Sequence, residues 1–530
     1  MIDDLRSHPD GALLDCDVCI VGAGPAGIAL ALSLARAPLR ILVLESGGFE
    51  VESEAQSLNE AEVTGLSMSG HLAGRVRAFG GAARLWAGQC LPLDPIDFEP
   101  RGWVPHSGWP IGPADLADGY RQAEAFFEVE GEGYGEETYR RFGLAVPAWD
   151  ADALRTMFTV YTPKVDTARF SARAIRSAGN ICLLTHAHAA AIETDATGVA
   201  RSVDLRSALG KSARIEARAI VLCGGGLENP RILLNSTGRR PRGLGNEHDL
   251  VGRFFQEHPN AVTATLAGDG TALQEQFRLL YRRERRYFPK LALGRSVQEA
   301  KQVLNANAHL VFEYPEDSCT AALERMFRSL RAGRPPERPW RDLGRVAADL
   351  PALASVMLRR LRGRSPKARP AAVKLQCYLE QAPNPQSRVM LSERRDQLGL
   401  RQMRLDWRLT ELERRTLVVL TATVQREFRR LGLGELEAEG WLAEPGAAWE
   451  KRLVDSYHHG GTTRMAATPS EGVVDRNCEV FGVLGLYVCG NSVFPTSGYA
   501  NPTLTIVALA MRLASHLRTA LGCRPLSRAA

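Results

Sequence analysis

A glycine-rich turn near the start of the chain constrains its fold more than any other feature. Gly22, Gly24 and Gly27 form the pattern G-x-G-x-x-G directly after a short apolar run, and an Ala/Leu-rich helical pattern follows. A second apolar run, residues 41–44, ends in Glu45. This order predicts a Rossmann-like dinucleotide-binding unit, in which a strand is followed by a glycine turn, a helix, a second strand and an acidic residue.

Each part of this turn has its own physical reason. Gly22 permits the tight turn, Gly24 lets the backbone approach a pyrophosphate, and Gly27 lets helix and strand pack closely. The helix start offers unpaired N–H groups and a positive dipole end to the phosphates. Glu45 can accept hydrogen bonds from a ribose and would repel a 2′-phosphate. The motif alone leaves FAD and NAD open as cofactors, since both share it.

Length and composition narrow the class of protein. At 530 residues, with 45% hydrophobic residues, the chain is long enough for two or more domains. No apolar run reaches the ~18 residues of a membrane span. Residues 1–15 lack the basic start and apolar core of a signal peptide. These features predict a cytoplasmic protein.

Metal and nucleic-acid sites are not expected. The ten cysteines show no ligand or disulfide spacing, and Cys16 and Cys19 are interpreted as buried strand residues although they form C-x-x-C. His186 and His188 share one face of a predicted strand, but no third ligand is near them in the sequence. No nucleic-acid-binding module accompanies the net charge of +6.

The positive charge is concentrated in one segment. Residues 321–370 contain thirteen Lys or Arg against four Asp or Glu, a net of +9, which leaves the remainder at −3. Apolar residues within 341–361 recur at helical spacing, and Pro351 divides the pattern into two short helices. The segment is either a solvated helical excursion or a basic amphipathic surface that docks on a membrane or an electron acceptor.

The C-terminal stretch indicates a chemistry. His458 stands 43 residues before Asn501, which precedes Pro502 and a long apolar helical pattern. Oxidation of an alcohol needs a base for the hydroxyl proton, and histidine is the side chain whose ordinary pKa lies near neutral pH. Asn501 is equally typical of a helix start. That helix would direct its positive end toward Asn501.

Several motifs in a fixed order resemble the glucose–methanol–choline (GMC) family of FAD-dependent oxidoreductases. The resemblance covers nearly the whole chain and is weakest at 261–370. It implies an α/β fold, α+β overall, with a Rossmann-like FAD-binding domain interleaved with a sheet-plus-helices substrate domain that carries the basic helical insert at about 321–370. The motifs are the glycine turn, 75–111, 220–236, 243–259, 472–495 and the C-terminal stretch. The implied domains are 12–90, 176–252 and 452–524 for FAD, and 91–175 and 253–451 for substrate.

The resemblance also implies how FAD is held. The isoalloxazine ring would lie beside Gly80, Gly81 and Trp86, although Trp86 suits core packing equally well. Leu85 stands where some sugar-oxidising members carry a histidine joined to the flavin, so we expect non-covalent FAD. The backbone of Ala189 would contact the adenine. Further cofactor-binding residues implied by the family are Gly490, Asn491, Pro502 and Thr503.

The family's catalytic positions fall on two residues here. The family's base stands three residues before a Gly-Thr landmark, which is Gly461-Thr462 in this chain and assigns the base to His458 rather than His459. Asn501 matches the second active-site position, where its amide would bond the substrate oxygen. His459 would be a neighbour near the substrate. Glu380 and Gln381 would face the cavity, although a turn before a proline explains them equally well.

These assignments predict FAD-dependent oxidation of an alcohol to a carbonyl, with hydride transfer to flavin N5 and His458 as the proton acceptor. The C-terminal motifs resemble sugar-oxidising members most, which favours a sugar, glycoside or polyol as substrate. A dehydrogenase is favoured over an oxidase, since nothing marks an oxygen-reactive site. The alternatives are a lyase or photodecarboxylase of the same fold, or an oxidase of a hydrophobic alcohol. The sequence does not identify the electron acceptor.

Overall fold

The computed structural model describes residues 1–331, 335–365, 367–444 and 446–523. Residue 524, the predicted end of the FAD-binding domain, and residues 332–334 and 366 of the predicted insert lie outside the described residues. The strands are β1 Ile2–Asp4, β2 Ala12–Val21, β3 Ile41–Leu44, β4 Ala61–Val63, β5 Gln89–Cys90, β6 Leu154–Tyr161, β7 Ile181–Thr185, β8 His188–Thr194, β9 Ala200–Arg206, β10 Ser212–Leu222, β11 Asn260–Ala267, β12 Leu280–Arg282, β13 Arg285–Leu293, β14 Ala306–Glu313, β15 Ala372–Leu379, β16 Arg388–Arg395, β17 Arg401–Asp406, β18 Glu435–Ala438 and β19 Leu486–Val488. The helices are α1 Pro25–Ser33, α2 Ser53–Ser57, α3 Gly70–Ala73, α4 Pro95–Phe98, α5 Pro113–Phe127, α6 Glu137–Arg141, α7 Thr167–Ser177, α8 Gly225–Asn235, α9 Gln274–Phe277, α10 Arg295–Lys301, α11 Cys319–Arg331, α12 Pro339–Ala348, α13 Leu350–Leu361, α14 Glu411–Arg430 and α15 Thr503–Ala520.

The first sheet has a parallel centre built from distant parts of the chain. Its strands lie in the order β1-β7-β3-β2-β10-β9-β8, and β19 pairs with β10. The pairs β7–β3, β3–β2 and β2–β10 are parallel, and the apolar runs of these strands are buried, as parallel sheets require. Helix α1 packs on β2 and β3 and against α15. The predicted βαβ unit is therefore confirmed as β2–α1–β3.

Close packing explains two glycines of the turn after β2. A Cβ atom on Gly27 would lie 2.0 Å from the backbone oxygen of Gly22, and a Cβ atom on Gly22 would lie 2.8 Å from the backbone oxygen of Cys223. Gly22 also has a φ of 107°, in the region that favours glycine. Larger residues at these positions would push α1 and the loop after β10 away from β2.

The second sheet is antiparallel. Its strands lie in the order β18-β11-β15-β14-β13-β6-β5, with β12 on β13. Helix α14 packs on one face through β11, β13, β14 and β15, and alternate residues of the strands point to the other face. That other face carries a group of aromatic and basic side chains that borders a large cavity: Tyr161, Phe288, Lys290, His309 and Tyr378. A third, small sheet has the order β16-β17-β4.

The basic segment forms three helices, α11, α12 and α13, outside the second sheet. Helix α12 ends at Ala348 and Pro351 lies in the first turn of α13, so the predicted division into two short helices is confirmed. Ion pairs of Arg359 and Arg364 with Glu275 connect the segment to the rest of the molecule. Its large apolar residues that face solvent are Phe327, Leu330, Trp340, Leu343, Met357, Leu358 and Leu361. Among the described helices, none is long and apolar enough to cross a membrane.

Candidate active site

A cavity of about 790 Å³ lies between the first and second sheets. The first sheet contributes the glycine turn after β2, the residue that follows β3, and the start of α8. The second sheet contributes its aromatic and basic face. The segments 454–459 and 489–491 and the start of α15 complete the wall. The cavity thus joins the N-terminal glycine turn to the C-terminal histidine segment, which lies more than 400 residues later in the chain.

The glycine turn fits a pyrophosphate. Gly24 caps the start of α1 without a side-chain hydrogen bond, and a Cβ atom on it would meet no atom within 4 Å because it borders the cavity. Gly81 packs directly behind it, since a Cβ atom on Gly81 would lie 2.9 Å from Cα of Gly24. The helix start, with its N–H groups and positive dipole end, is therefore open to an anionic ligand.

Glu45 is buried at the end of β3, beside the same turn. Its carboxylate accepts hydrogen bonds from the backbone N–H groups of Ala23 (3.1 Å) and Gly47 (3.2 Å), which hold the turn against β3. Burial raises the pKa of Glu45, and these two N–H groups oppose the rise. The side chain also borders the cavity, where it offers an acceptor for ribose hydroxyl groups.

A buried charge cluster that sequence reasoning missed lies next to the turn. Glu228 accepts hydrogen bonds from Arg75 (2.8 Å), Arg77 (2.6 Å) and Arg231 (3.1 Å), and Arg231 also pairs with Asp396. Burial opposes the ionisation of Glu228, but the three guanidinium groups outweigh it and hold its pKa well below its usual range. Three cations against two carboxylates leave one positive charge beside the cavity, which suits an anionic cofactor.

The two histidines around β8 have separate surroundings. The ring of His186 lies 2.9 Å from a carboxylate oxygen of Asp4, whereas Nδ1 of His188 lies 3.3 Å from the guanidinium of Arg77. Burial lowers the pKa of His188 to about 3, and Arg77 lowers it further, so this ring is neutral at neutral pH. Ala189, the residue predicted to contact adenine, borders the cavity beside His188.

The segment predicted to lie beside the isoalloxazine ring, which contains Gly80, Gly81 and Trp86, packs against the glycine turn after β2. Gly80 and Gly81 have φ values of 102° and 54°, which favour glycine. Gly81 and Trp86 border the cavity, whereas Gly80 does not. The indole N–H of Trp86 donates to the backbone oxygen of Val165 (2.7 Å), and its ring packs against Phe127. Trp86 therefore combines core packing with a place in the cavity wall.

The start of α15 meets the histidine segment at the cavity. Pro502 is the N-cap residue of α15 and makes no side-chain capping hydrogen bond. Pro502 and Thr503 both border the cavity. Gly490 and Asn491 also border it, and the side-chain amide of Asn491 donates to the backbone oxygen of His458 (3.3 Å). The structure thus brings together these four predicted cofactor residues around one end of the cavity.

The predicted catalytic pair comes together in the cavity. Nδ2 of Asn501 lies 3.5 Å from Nε2 of His458. Burial lowers the pKa of His458 well below its ordinary value of 6.5, and the neighbouring His258, Lys290 and His459 lower it further. The ring is therefore neutral at neutral pH, which is the form that accepts a proton.

A second histidine fixes the orientation of His458. Nδ1 of His258 lies 2.8 Å from Nδ1 of His458. Nε2 of His258 is buried and has no hydrogen-bond partner among the described residues. One of the two Nδ1 atoms carries the shared proton, and with the proton on His458 its Nδ1–H donates to Nδ1 of His258. Nε2 of His458 is then left free to accept a proton.

Comparison with known proteins identifies the family of the chain. The family model of GMC oxidoreductases matches residues 383–510, and that of FAD-dependent oxidoreductases matches residues 17–242. Together the two segments cover about two thirds of the chain and contain the glycine turn, His458 and Asn501. The chain belongs to the GMC oxidoreductases. Its cofactor is FAD, and the glycine turn, Glu45 and the charge cluster around Glu228 fit that cofactor.

Three proteins illustrate the range of these relatives. The chain is 40% identical to a C-glycoside 3-oxidase from Arthrobacter globiformis over 22% of this chain and 21% of that protein. It is 23% identical to paromamine 6′-oxidase from Streptomyces fradiae over 94% of this chain and 90% of that protein. The solved structure of pyridoxine 4-oxidase superimposes with a TM-score of 0.54 at 17% identity, covering 94% and 99% of the two chains, and shows the same fold.

In this GMC oxidoreductase, Glu257 holds the two neighbouring histidines. Its buried carboxylate accepts hydrogen bonds from the backbone N–H groups of His458 (2.9 Å), His258 (3.1 Å) and Ser456 (3.2 Å). Burial raises the pKa of Glu257 to about 8. The ring of His459 borders the cavity but points toward Glu257, with Nε2 at 3.5 Å. His458 is thus the histidine that faces Asn501.

The structure places Glu380 and Gln381 away from the cavity, in contrast to the sequence prediction. Glu380 is fully buried and makes a two-point ion pair with Arg101, with distances of 2.8 and 2.6 Å. The side-chain oxygen of Gln381 accepts from the backbone N–H of Glu257 (2.9 Å) and from the indole of Trp407 (2.9 Å). Both residues support the wall from behind, because their buried polar groups are already paired.

Sequence reasoning also missed Lys290 and His258. Lys290 belongs to the predicted substrate domain but carried no local motif, and its ammonium donates to the side-chain oxygen of Asn501 (3.3 Å). His258 lies in the motif 243–259, where the sequence QEHP was a usable signal. Both reach His458 and Asn501 because β13 and β11, which His258 precedes by two residues, belong to the same sheet with β14 and β15 between them.

Proposed function

We propose that this protein oxidises a CH–OH group of a sugar, glycoside or polyol to a carbonyl, and that Nε2 of His458 accepts the hydroxyl proton. When bound, FAD supplies the acceptor for the hydride that leaves the same carbon. Asn501 holds the substrate oxygen through its amide N–H while the proton moves to His458. The observation that carries the proposal is Nε2 of His458 at 3.5 Å from the amide of Asn501, in the cavity that the glycine turn also borders.

The direction of the hydrogen bonds supports this role for His458. Lys290 donates to the side-chain oxygen of Asn501, so the amide N–H of Asn501 faces Nε2 of His458, and we assign the proton shared with His258 to Nδ1 of His458. This arrangement directs the Nε2 lone pair of His458 at the cavity, where a substrate hydroxyl can replace the long contact with Asn501.

The choice of substrate class and cofactor attachment has further support. The relatives include a C-glycoside oxidase and an oxidase of paromamine. The cavity wall around His458 is rich in polar groups, among them Asn260, Lys290 and His309, which suits hydroxyl-bearing substrates better than a hydrophobic alcohol.

Leu85 borders the cavity and cannot form a bond to flavin, so FAD is held non-covalently. We favour a dehydrogenase over an oxidase, with an electron acceptor that is not identified.

The test is anaerobic reduction of the purified flavoprotein. Sugars, glycosides and polyols are screened for bleaching of the flavin absorbance, and oxygen or an artificial acceptor is then added to distinguish oxidase from dehydrogenase. His458→Ala should retain flavin and lose bleaching by about 10²-fold or more. Full bleaching in His458→Ala would overturn the role of this residue. Lyase or photodecarboxylase activity without flavin reduction by any alcohol would overturn the proposed reaction.

The basic helices supply a second, separate proposal. We propose that α11–α13 dock on an anionic membrane surface. The segment 321–370 has a net charge of +9, and Trp340 and Leu361 are 83% and 86% exposed. Positive charge together with exposed aromatic and aliphatic side chains is the pattern by which helices lie in the interface of an anionic membrane.

A further inference from the structure

Lys290 is a buried ammonium group without a counter-ion. It lies on β13 with 5% of its surface exposed and borders the cavity. Its one hydrogen bond among the described residues is to the side-chain oxygen of Asn501 (3.3 Å), and no carboxylate of the described chain pairs with it. An ammonium has three N–H donors, so two of them remain for another partner.

The charge on Lys290 persists at neutral pH. Burial lowers the pKa of its ammonium to about 8, which is above neutral pH. Taking such a charge out of water without a partner of opposite charge is unfavourable. The buried, unpaired charge is unfavourable in the free protein, and a ligand that supplies the opposite charge offsets this unfavourable free energy when it binds.

The groups around Lys290 do not supply that charge. The ring of Tyr378 lies 5.9 Å from Nζ, which gives a weak attraction to the aromatic face. Burial lowers the pKa values of His309 and His258 to about 3 and about 4, and Lys290 lowers both further, so these rings are neutral. His309 also has a buried Nδ1 without a hydrogen-bond partner beside the same space.

We propose that Lys290 binds a carboxylate of the substrate, so that the natural substrate is a hydroxy acid such as a sugar acid. This inference rests on the proposed alcohol oxidation at His458. One amide group, that of Asn501, separates the ammonium of Lys290 from the imidazole of His458. The carboxylate therefore lies within a few bonds of the carbon that is oxidised, as it does in a 2-hydroxy acid, an aldonic acid or a uronic acid.

A carboxylate matches the site better than a phosphate. One ammonium balances one negative charge, whereas a phosphate monoester carries up to two at neutral pH and is typically bound by several cations or a helix start. The arginines of the cluster around Glu228 pair with Glu228 and Asp396, and that cluster lies beside the glycine turn that fits the cofactor.

The experiment compares hydroxy acids with their own primary amides, which have nearly the same shape and no charge. Lactate, glycerate, gluconate and glucuronate are each paired with the amide, and the rate of anaerobic flavin reduction is measured in the holoenzyme. We expect kcat/KM to be at least about 10-fold higher for the acid of the preferred pair, chiefly through KM. In Lys290→Met the preference for the acid should disappear while flavin content is unchanged.

A matched control and a binding measurement keep the inference separate from the proposed reaction. Lys374→Met removes a lysine of β15 that pairs with exposed Glu313 and should preserve the preference. 2-Hydroxyisobutyrate has no hydrogen on its carbinol carbon, so its effect on the flavin spectrum reports binding alone. Its dissociation constant should rise at least about 10-fold in Lys290→Met.

Each outcome has a definite meaning. Equal rates for acids and amides in the wild type, or an acid preference that survives in Lys290→Met, would overturn the carboxylate site. So would a Lys290→Met variant that changes only the pH dependence of reduction, since that result would limit Lys290 to lowering the pKa of His458. If no alcohol reduces the flavin, the proposed oxidation fails, and binding of 2-hydroxyisobutyrate still decides the role of Lys290.

Discussion

At the scale of single residues, the neighbours of His458 determine the orientation and the pKa of its imidazole. Nδ1 of His258 lies 2.8 Å from Nδ1 of His458, Glu257 accepts from the backbone N–H of His458, and burial lowers its pKa so that the ring is neutral. A base that is already neutral needs no alkaline conditions to accept a proton. His258 is therefore a positioning residue, because it acts on the reaction only through the orientation of His458.

The role of His258 can be measured by replacing it with residues of different hydrogen-bonding capacity. His258→Phe removes the acceptor for Nδ1–H of His458, so we expect the limiting rate of flavin reduction to fall by about 10–100-fold with substrate binding little changed. His258→Asn offers a side-chain oxygen as an acceptor and should restore part of the rate. His516→Phe, which changes a histidine of α15 at the surface, is the matched control. Equal loss in His258→Phe and His258→Asn would show that the ring only fills space.

At the scale of elements, the start of α15 is the part most directly linked to the cofactor. Its first turn has no side-chain cap and borders the cavity, so its positive dipole end is available to negative charge on the bound flavin. Replacing both Pro502 and Thr503 with glycine should fray this turn. We expect the flavin reduction potential to fall by about 5–20 mV, from a dipole contribution of about 0.3–1 kcal/mol.

Redox titration of the purified protein measures this shift. Thr519→Gly frays the opposite end of α15 and serves as the control, since the dipole there is too far from the cavity to affect the flavin. An unchanged potential in the double variant, with flavin still bound, would contradict the role of the helix dipole. An equal shift in Thr519→Gly would attribute the effect to general loosening of α15.

The elements also show which features of the fold could be predicted from the sequence alone. The βαβ unit and the break near Pro351 follow from local patterns, because glycine spacing, helical periodicity and proline act over a few residues. The pairing of Glu380 with Arg101 joins residues 279 apart and leaves no local signal. Lys290 and His309 reach the cavity through the alignment of β13 with β14, which no local pattern specifies. His458 and Asn501 were found through family resemblance and not from spacing.

At the scale of the whole molecule, charge and apolar surface are divided between two regions. The cavity lies between the two large sheets, whereas the helices α11–α13 carry most of the excess positive charge and seven of the large exposed apolar residues. If these helices rest on an anionic membrane, the apolar side chains enter the interface and the arginines meet the lipid headgroups. Such an arrangement would bring the catalytic domain close to an acceptor carried in the membrane.

Vesicle sedimentation tests this docking. The protein should bind vesicles with anionic lipid more strongly than neutral vesicles, and binding should weaken as salt rises, because screening shortens the reach of surface charges. Trp340→Ser with Leu361→Ser should reduce binding, since these side chains are 83% and 86% exposed on the basic helices. Leu13→Ser with Leu209→Ser removes comparably exposed apolar residues elsewhere and should leave binding unchanged. Equal binding by both double variants, or by anionic and neutral vesicles, would assign α11–α13 to the solvated surface of the enzyme.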